Sequence, residues 1–285
     1  MNESAAGRVV VVTDSTAYLP TELATRYDIR VVPLQVTIGD RCGDEGVDVT
    51  PADVRTAMVE RGLAVRTSRP PPASFAQVYA QAHESGASGV VAVTMSAALS
   101  ATYESAETAA LDAPCEVRCV DSRTAVMGLG FAVLAAARCA GEGGSVRDVT
   151  RAASEAARAT RTLFYVDTLE HLRRGGRIGP VRALVGTALA VKPILHIDAG
   201  EIALLDKVRT ASRARARLVD LAVEAAADVP VDIAVHTATE HGADLLVDEV
   251  RGRVPKLRDL VTAQLGAAIT AHTGPGAVGI VISPA

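Results

Sequence analysis

The sequence predicts an α/β fold of two domains. Its 285 residues, at about 150 residues per domain, indicate two domains. In the first half, short β-branched runs alternate with helical segments, and this alternation predicts a parallel sheet with crossover helices. In the second half the order is irregular and includes a hairpin. We therefore expect a three-layer α/β/α domain with a parallel sheet over residues 1–158 and a two-layer mixed α+β domain over residues 159–285, with a ligand site between them.

The first domain begins with a valine run, Val9 to Val12, which is typical of a strand covered on both faces. Helix-start residues and further apolar runs predict that two helices and two more strands follow. They are a helix opened by Pro20 and Glu22, a strand from Ile29 to Ile38, a helix capped by Thr50 with Asp53 three residues later, and a strand from Gly89 to Thr94.

The rest of this domain continues the alternation. A helix from about Leu99 to Leu111 precedes a strand from Glu116 to Val120. A helix from about Ala125 to Cys139 follows, with Gly141 as its stop signal, and another spans about Ser145 to Thr160.

The second domain mixes strands and helices without a regular alternation. Asp198-Ala199-Gly200 lies between two strand-like runs and predicts a hairpin. The predicted elements are a strand from Leu163 to Val166, short helices within Leu169 to Ala190, strands from Pro193 to Ile197 and from Glu201 to Val208, a helix from about Arg213 to Ala227, a strand from Ile233 to His236, a helix from about Ala243 to Arg253, and a strand from Gly279 to Ile282.

Composition and charge exclude several classes of protein. An apolar fraction of 49% excludes intrinsic disorder, and a net charge of −4 gives no global attraction to nucleic acid or anionic lipid. Four cysteines do not make a disulfide scaffold. Glu3 stands where a signal peptide needs positive charge, and the longest apolar run, Ala125 to Ala137, is shorter than the ~20 residues of a bilayer span. We expect a cytoplasmic protein without an integral membrane segment.

Polar residues follow the predicted parallel strands. They are Asp14-Ser15-Thr16, Ser96 and Asp121-Ser122. The carboxyl ends of parallel strands form the ligand crevice of such sheets. Hydroxyls without an adjacent base or metal favour binding over hydrolysis. The segment from Ser96 to Thr102, which we call the serine loop, is equally consistent with a helix N-cap and with an anion held by exposed amides.

Other motifs are weaker. Gly274 to Gly279 matches the dinucleotide pattern, but a strand follows it instead of a helix, so it predicts a tight turn preceded by His272. His236, His241 and Asp244 lack the spacing of a metal site. The Arg173-Arg174-Gly175-Gly176-Arg177 run is consistent with anion binding or with a helix end.

A second basic cluster, Arg209, Arg213, Arg215 and Arg217, has no interleaved aromatic residues, so we expect no nucleic-acid binding. We interpret this cluster either as a solvated helix face or as a docking patch for an acidic partner.

Seven ordered motifs resemble the DegV family of lipid-binding proteins, and the resemblance covers essentially the whole chain. The matching segments are VTDSTAYLP (12–20), TSRPPPASF (67–75), SAALSATY (96–103), VDSRTAVMGLGF (120–131), DTLEHLRRGGRIG (167–179), KPILHIDAGEIALLDKVRT (192–210) and HTGPGAVG (272–279).

The resemblance implies two α/β domains with a long-chain fatty acid between them. It also implies a partner, an ATP-dependent fatty-acid kinase that converts the bound acid to an acyl phosphate. By motif, the carboxylate-binding residues are Thr67, Ser68, Ser96, Ser100 and His272. Arg177 is assigned to charge balance or partner contact. No catalytic residue, metal or cofactor is expected, and the fatty acid is the ligand.

This chain departs from the family pattern at three places. The serine loop reads Ser96-Ala97 and Ser100-Ala101, where the family usually has Ser-Ser and Ser-Gly, so Ser96 and Ser100 remain alternatives for the head-group contact. Arg69 stands in the third position of the Thr67 motif, and Tyr18 replaces an acid.

Physical chemistry supports a carrier. A buried carboxylate needs several hydrogen-bond donors. At about 0.8 kcal/mol per methylene, a sixteen-carbon tail contributes roughly 12 kcal/mol before entropy losses, against ~1 kcal/mol for a single hydrogen bond. The tail therefore sets affinity and the polar residues set orientation. The alternative functions are a hydrolase or phosphotransferase that uses Asp14, Asp121 and His272, and a DNA-binding regulator suggested only by the arginines.

Overall fold

A computed structural model describes residues 8–184, 191–238 and 243–285. The chain divides into two compact units. The first unit is the described part of Met1–Leu34 together with Ser68–Arg158, and the second is Gln35–Thr67 together with the described part of Ala159–Ala285. We call Gln35–Thr67 the inserted segment, because it lies within the span of the first predicted domain and yet groups with the second unit.

The strands are β1 Val9–Asp14, β2 Arg30–Val32, β3 Gln35–Ile38, β4 Arg41–Asp44, β5 Val65–Ser68, β6 Gly89–Thr94, β7 Glu116–Asp121, β8 Arg161–Tyr165, β9 Lys192–Asp198, β10 Glu201–Val208, β11 Val231–Thr237, β12 Leu257–Gln264 and β13 Val278–Pro284. The helices are α1 Thr21–Arg26, α2 Pro51–Val59, α3 Pro72–Glu84, α4 Thr102–Ala110, α5 Met127–Gly141, α6 Val146–Ala159, α7 Glu170–Arg174, α8 Ala211–Ala225, α9 Asp244–Arg253 and α10 Ala267–Thr273. Short 3-10 turns span Ser15–Ala17 and Gly179–Leu184.

The first unit is the predicted three-layer α/β/α arrangement. Its four strands are all parallel, in the order β2-β1-β6-β7. Both β1 and β6 are buried along their whole length, as expected for strands that helices cover on two faces. On one face Phe75 and Tyr79 of α3 and Ala106 of α4 pack against Val10 and Val90. On the other face α5 packs against β1 and β6.

The predicted strand from Ile29 to Ile38 is wrong as a single element. It is two strands, β2 in the parallel sheet and β3 in a separate small sheet. Pro33 stands between them and has no N–H to donate to a ladder. The amide of Leu34 donates to Ser15 Oγ at 3.0 Å, which is a contact outside any strand pairing.

The second unit contains a mixed six-stranded sheet in the order β10-β9-β8-β13-β11-β12. Neighbouring strands are antiparallel except for the parallel pair β11 and β12. Helices α8 and α9 pack against this sheet through a common apolar cluster. The predicted hairpin is confirmed, because Ala199 and Gly200 have φ values of 49° and 96°, the left-handed geometry of a two-residue turn.

The inserted segment adds a three-stranded sheet, β4-β3-β5, which the sequence pattern did not predict. Its helix α2 was predicted, and the capping box between Thr50 and Asp53 is confirmed. Three further elements were not predicted, namely α3, β12 and α10. Two helix ends also differ, because α5 includes Gly141 and α4 begins at Thr102. The last residues of the predicted short helices up to Ala190 lie outside the described part.

Within the described ranges, no helix combines the length and the apolar character that crossing a bilayer requires. The four cysteines, Cys42, Cys115, Cys119 and Cys139, are free thiols.

Candidate functional site

Two of the predicted site residues lie in direct contact in the second unit. Thr67 is near the end of β5, and His272 is near the end of α10. Thr67 Oγ1 and His272 Nε2 are 2.7 Å apart, across 205 residues of sequence. A hydroxyl and an imidazole at this distance form a short hydrogen bond, so the two side chains act as one polar unit.

The imidazole of His272 is neutral at physiological pH. Its burial lowers the pKa to about 4, and the nearby positive charge of Arg177 contributes to the same shift. Burial disfavours the charged form of a histidine, and a neighbouring cation adds repulsion. A neutral imidazole carries one N–H and one acceptor nitrogen, so it can orient a hydroxyl but adds no charge to the site.

The surroundings of His272 indicate which nitrogen carries the proton. Nδ1 is buried and has no hydrogen-bond partner among the described residues. A proton on Nδ1 leaves a buried donor unpaired, whereas a proton on Nε2 is donated to Thr67 Oγ1 and leaves only a lone pair unmatched. Unpaired buried N–H groups are the rarer of the two. The Nε2–H tautomer is therefore favoured, and it leaves the Thr67 hydroxyl proton available for an acidic ligand.

Two glycines allow close packing against histidine rings, Gly175 against His272 and Gly274 against the neighbouring His171. A Cβ on Gly175 would overlap Nδ1 of His272, and a Cβ on Gly274 would lie 2.5 Å from Cδ2 of His171. Nη1 of Arg177 donates to the carbonyl of Gly175 at 2.5 Å. The arginine is thus anchored to the backbone that packs on the imidazole, which explains why its charge acts on His272.

The glycine motif after His272 is the predicted tight turn. Gly274 has a φ of 84°, which favours glycine, and its carbonyl accepts from the amide of Ala277 at 3.4 Å. Strand β13 begins at Val278. Because a strand follows the turn, the dinucleotide interpretation fails here as it did on the sequence pattern.

The serine loop of the first unit lies between β6 and α4, at the carboxyl end of β6. In the strand order β2-β1-β6-β7, β2 lies on one side of β1, and β6 and β7 lie on the other. The order of the strands therefore reverses between β1 and β6, and such a switch point is where open α/β sheets bind ligands. The loop is held by two carboxylates from neighbouring strands. Asp14 Oδ2 accepts from the amide of Met95 at 2.7 Å, and Asp121 Oδ1 accepts from the amide of Ala97 at 3.1 Å.

The backbone amides of this loop are engaged within the loop. The amide of Ala98 donates to Ser96 Oγ at 3.2 Å, and the amides of Leu99 and Ser100 donate to the carbonyl of Ser96 at 3.0 and 3.1 Å. The anion cradle of exposed amides that the sequence left open is therefore wrong for residues 97–100. Ser96 is fully buried and helps to form the turn.

Ser100 is the more accessible of the two serines. It is half-buried, and its Oγ lies 2.8 Å from Thr102 Oγ1, where either hydroxyl can donate. If Thr102 donates, the Ser100 proton is available to a ligand. The N-cap position of α4 is Ala101, and no side chain caps the helix, so Ser100 does not act as its N-cap.

Ser68 and Arg69 follow Thr67 along the chain. Thr67 and Ser68 are the last residues of β5, and residues 69–71 connect this strand to α3. Ser68 is exposed. Arg69 Nη1 forms an ion pair of 3.0 Å with Glu104 of α4, and both side chains are exposed.

Asp14 and Asp121 carry structural roles. Asp14 is fully buried and also accepts from the amide and the hydroxyl of Thr16 at 3.0 and 2.5 Å. Burial raises its pKa, although the hydrogen bonds oppose this shift. Asp121 also accepts from the amide of Arg123 at 2.9 Å. Since these carboxylates bind the chain's own amides, they fix loops, and their contacts give no support to the hydrolase alternative.

The remaining sequence candidates have structural partners. His236 is buried, its Nδ1 lies 3.0 Å from the carbonyl of Ala263, and burial lowers its pKa to about 4. His241 lies outside the described residues. In the described ranges, no three His, Cys, Asp or Glu side chains form a group that could hold a metal ion.

Three arginines of the two clusters pair with neighbouring acids. Arg173 and Arg174 both form ion pairs with Glu170, as expected at a helix end. In the second cluster, Arg217 pairs with Asp206 and Glu224.

Comparison with known proteins shows the family of this chain. The family model described as "Uncharacterised protein, DegV family" matches residues 8–285. The chain belongs to the DegV family. A DegV domain-containing protein of Streptomyces coelicolor is 50% identical over 276 residues, which cover 96% of this chain and 98% of that protein.

Two solved DegV structures have the same fold. A DegV family protein of Thermus thermophilus, described for its fatty acid binding, superposes with a TM-score of 0.91 at 34% identity and covers 98% of this chain and 100% of its own. DegV of Bacillus subtilis, described as a fatty acid binding protein, has a TM-score of 0.90 at 30% identity with the same coverage. The predicted α/β fold of the DegV type is thereby confirmed.

Proposed function

We propose that this protein binds a long-chain fatty acid and presents its carboxylate to a separate ATP-dependent fatty-acid kinase. The observation that carries the proposal is the 2.7 Å contact between Thr67 and a neutral, partly buried His272. It is supported by the fatty acid binding described for the similar proteins of Thermus thermophilus and Bacillus subtilis.

The Thr67 and His272 pair is suited to a carboxylate. With its proton on Nε2, the imidazole donates to the Thr67 oxygen, and the threonine hydroxyl donates to the ligand. A donor that itself accepts a hydrogen bond is a stronger donor, because such chains polarise one another. Arg177, held against Gly175, supplies the positive charge that balances the acid. Hydrogen bonds to an ionised acceptor are about twice as strong as neutral ones.

We propose the hydroxyls of Ser68, Ser96 and Ser100 as further contacts, with Ser100 ahead of Ser96 because Ser100 is the more accessible. The tail supplies most of the affinity, at about 0.8 kcal/mol for each buried methylene. The polar residues then distinguish an acid from other lipids of the same length.

The role assigned to this chain is that of a carrier. In the proposed transfer, a carboxylate oxygen of the fatty acid forms a bond to the γ-phosphorus of ATP, and ADP leaves. The kinase supplies the nucleotide site, and this chain supplies the oriented acid. We propose no further cofactor. We place the protein in the cytoplasm, where four free thiols remain reduced.

Lipid extraction tests the ligand. The purified protein is extracted with solvent, the extract is analysed by mass spectrometry, and the delipidated protein is titrated with palmitate and with palmityl alcohol. We expect a fatty acid in the extract and tighter binding of palmitate. Thr67→Val should weaken palmitate binding by about tenfold, the equivalent of one charge-assisted hydrogen bond, and Thr67→Ser is the matched control that keeps the hydroxyl. An empty protein that binds neither lipid contradicts the proposal.

Product formation tests the partnership. The loaded protein is incubated with ATP, with and without a fatty-acid kinase, and acyl phosphate is trapped with hydroxylamine. We expect hydroxamate only when the kinase is present. Turnover by the isolated chain would instead favour an enzyme that uses Asp14, Asp121 or His272.

A further inference from the structure

The inserted segment holds a buried carboxylate at the start of the helix that carries His272. Glu45 follows β4, and only 5% of its surface is exposed. Its Oε1 accepts from the amide of Ala268 at 2.7 Å, across 223 residues of sequence. Ala268 is the second residue of α10, so Glu45 caps this helix from a distant part of the chain.

Helix α10 lacks a cap of its own. Its N-cap residue is Gly266, which has no side chain to accept from the first amides. The first turn of any helix has unpaired N–H groups and a partial positive charge, and a carboxylate satisfies both. A seven-residue helix is too short to be stable by propensity alone. The position of α10 therefore depends on its outside contacts.

The loop that carries Glu45 is itself fixed. The carbonyl of Asp44 accepts from the amides of Val47, Asp48 and Val49 at 3.2, 2.9 and 3.2 Å. Glu45 also forms an isolated β-bridge with Val49, and Val49 is fully buried. A carboxylate on such a loop has little freedom to move, so it provides a fixed anchor for the helix start.

The same inserted segment contacts α10 at both of its ends. Glu45 binds the first turn, and Thr67 binds His272 in the last turn. Between them, α2 and β3 pack against α10. Movement of the helix start along or around its axis therefore displaces the imidazole relative to the threonine hydroxyl.

We propose that Glu45 is a positioning residue for the head-group site, which sets the place of His272 by anchoring the start of α10. This role rests on the proposed function, because it concerns how well Thr67 and His272 meet a carboxylate. Glu45 does not touch the ligand. It acts through the helix, and its loss is expected to lower the preference for an acid and to leave the contribution of the tail unchanged.

The test compares the affinity for palmitate with the affinity for palmityl alcohol in four proteins. They are the wild type, Glu45→Ala, Glu45→Gln, which keeps an acceptor oxygen, and Glu60→Ala, which removes an exposed glutamate of the same segment. We expect Glu45→Ala to lower the palmitate-to-alcohol ratio about five- to tenfold, the worth of one hydrogen bond. Glu45→Gln should restore most of the ratio, and Glu60→Ala should not change it.

A purely structural role of Glu45 would weaken the binding of both lipids equally and leave their ratio unchanged, and that result overturns the inference. The ¹⁵N shifts of the His272 ring provide a second readout, since they report its tautomer and should move in Glu45→Ala alone. If Glu45→Ala does not fold, Glu45→Asp, which shortens the side chain by one methylene, takes its place with the same expected loss of ratio. A wild-type protein that does not bind palmitate overturns the proposed function instead.

Discussion

The partly buried imidazole of His272 makes the stability of the protein depend on pH in a defined window. In the folded protein its pKa is lowered from 6.5 to about 4, chiefly by burial. As the pH falls below about 6.5, the unfolded chain accepts a proton at this residue and the folded chain does not. Protons therefore favour unfolding. The stabilising contribution is complete above about pH 6.5 and is lost progressively as the pH falls to about 4.

The size of this effect follows from the two pKa values. One pKa unit corresponds to about 1.4 kcal/mol, so the whole shift corresponds to about 3 kcal/mol. Between pH 7 and pH 5 the unfolded histidine becomes almost fully protonated while the folded one stays mostly neutral. About 2 kcal/mol of the free energy of unfolding is then lost through this residue. That is a large part of the 5–15 kcal/mol typical of folded proteins.

The measurement is urea unfolding of the wild type and of His272→Gln at pH 7, 6 and 5. Circular dichroism is the suitable signal, because the sequence contains no Trp. His236, whose pKa is also lowered to about 4 by burial, contributes equally in both proteins and cancels in the comparison. We expect the wild type to lose about 2 kcal/mol more than the variant between pH 7 and pH 5. Parallel losses in the two proteins would refute the reasoning.

Three further predictions concern other residues. Gly175→Ala places a methyl group against the His272 ring and should lower the free energy of unfolding by about 1–3 kcal/mol and weaken palmitate binding, as measured by urea unfolding and by lipid titration. The double change Ser96→Ala with Ser100→Ala should reduce fatty-acid retention in solvent extracts without unfolding the protein, and unchanged retention would remove the serine loop from the site. Gly141→Ala, at an exposed helical position with open space around it, should stabilise the protein by about 0.5–1 kcal/mol, seen as a melting temperature about 2 °C higher, with unchanged palmitate affinity.

Much of the fold was predictable because buried strands and helices carry a recognisable pattern of apolar residues. The valine-rich runs of β1 and β6 are buried on both faces, and their apolar character shows this directly. Strand β12, Leu257–Gln264, lies at the edge of its sheet and is half exposed. Its mixture of polar and apolar residues matches neither the alternation typical of a strand nor the periodicity typical of a helix. Helix α10 is short and rich in alanine, so its apolar stripe is too brief to show a period.

The site was predictable only in part, because its contacts join distant residues. No local pattern indicates that Thr67 meets His272, and the resemblance to a family supplied that pairing. The carboxylate of Glu45 was missed altogether. It stands between Gly43 and Gly46 in an acidic stretch, and this pattern is typical of an exposed turn. Only tertiary structure shows that it is buried against the start of a helix, and no sequence signal could have separated it from its exposed neighbours.

The grouping of the inserted segment with the second unit has a consequence for biosynthesis. The segment leaves the ribosome long before its partner helix α10, because 205 residues separate Thr67 from His272. At about 5–20 residues per second, this interval lasts about 10–40 s. During that time the residues of β4, β3, β5 and α2 have no α10 to pack against. The contact between Thr67 and His272 therefore forms late in translation, whereas β6, β7 and α5, close together along the chain, can assemble earlier.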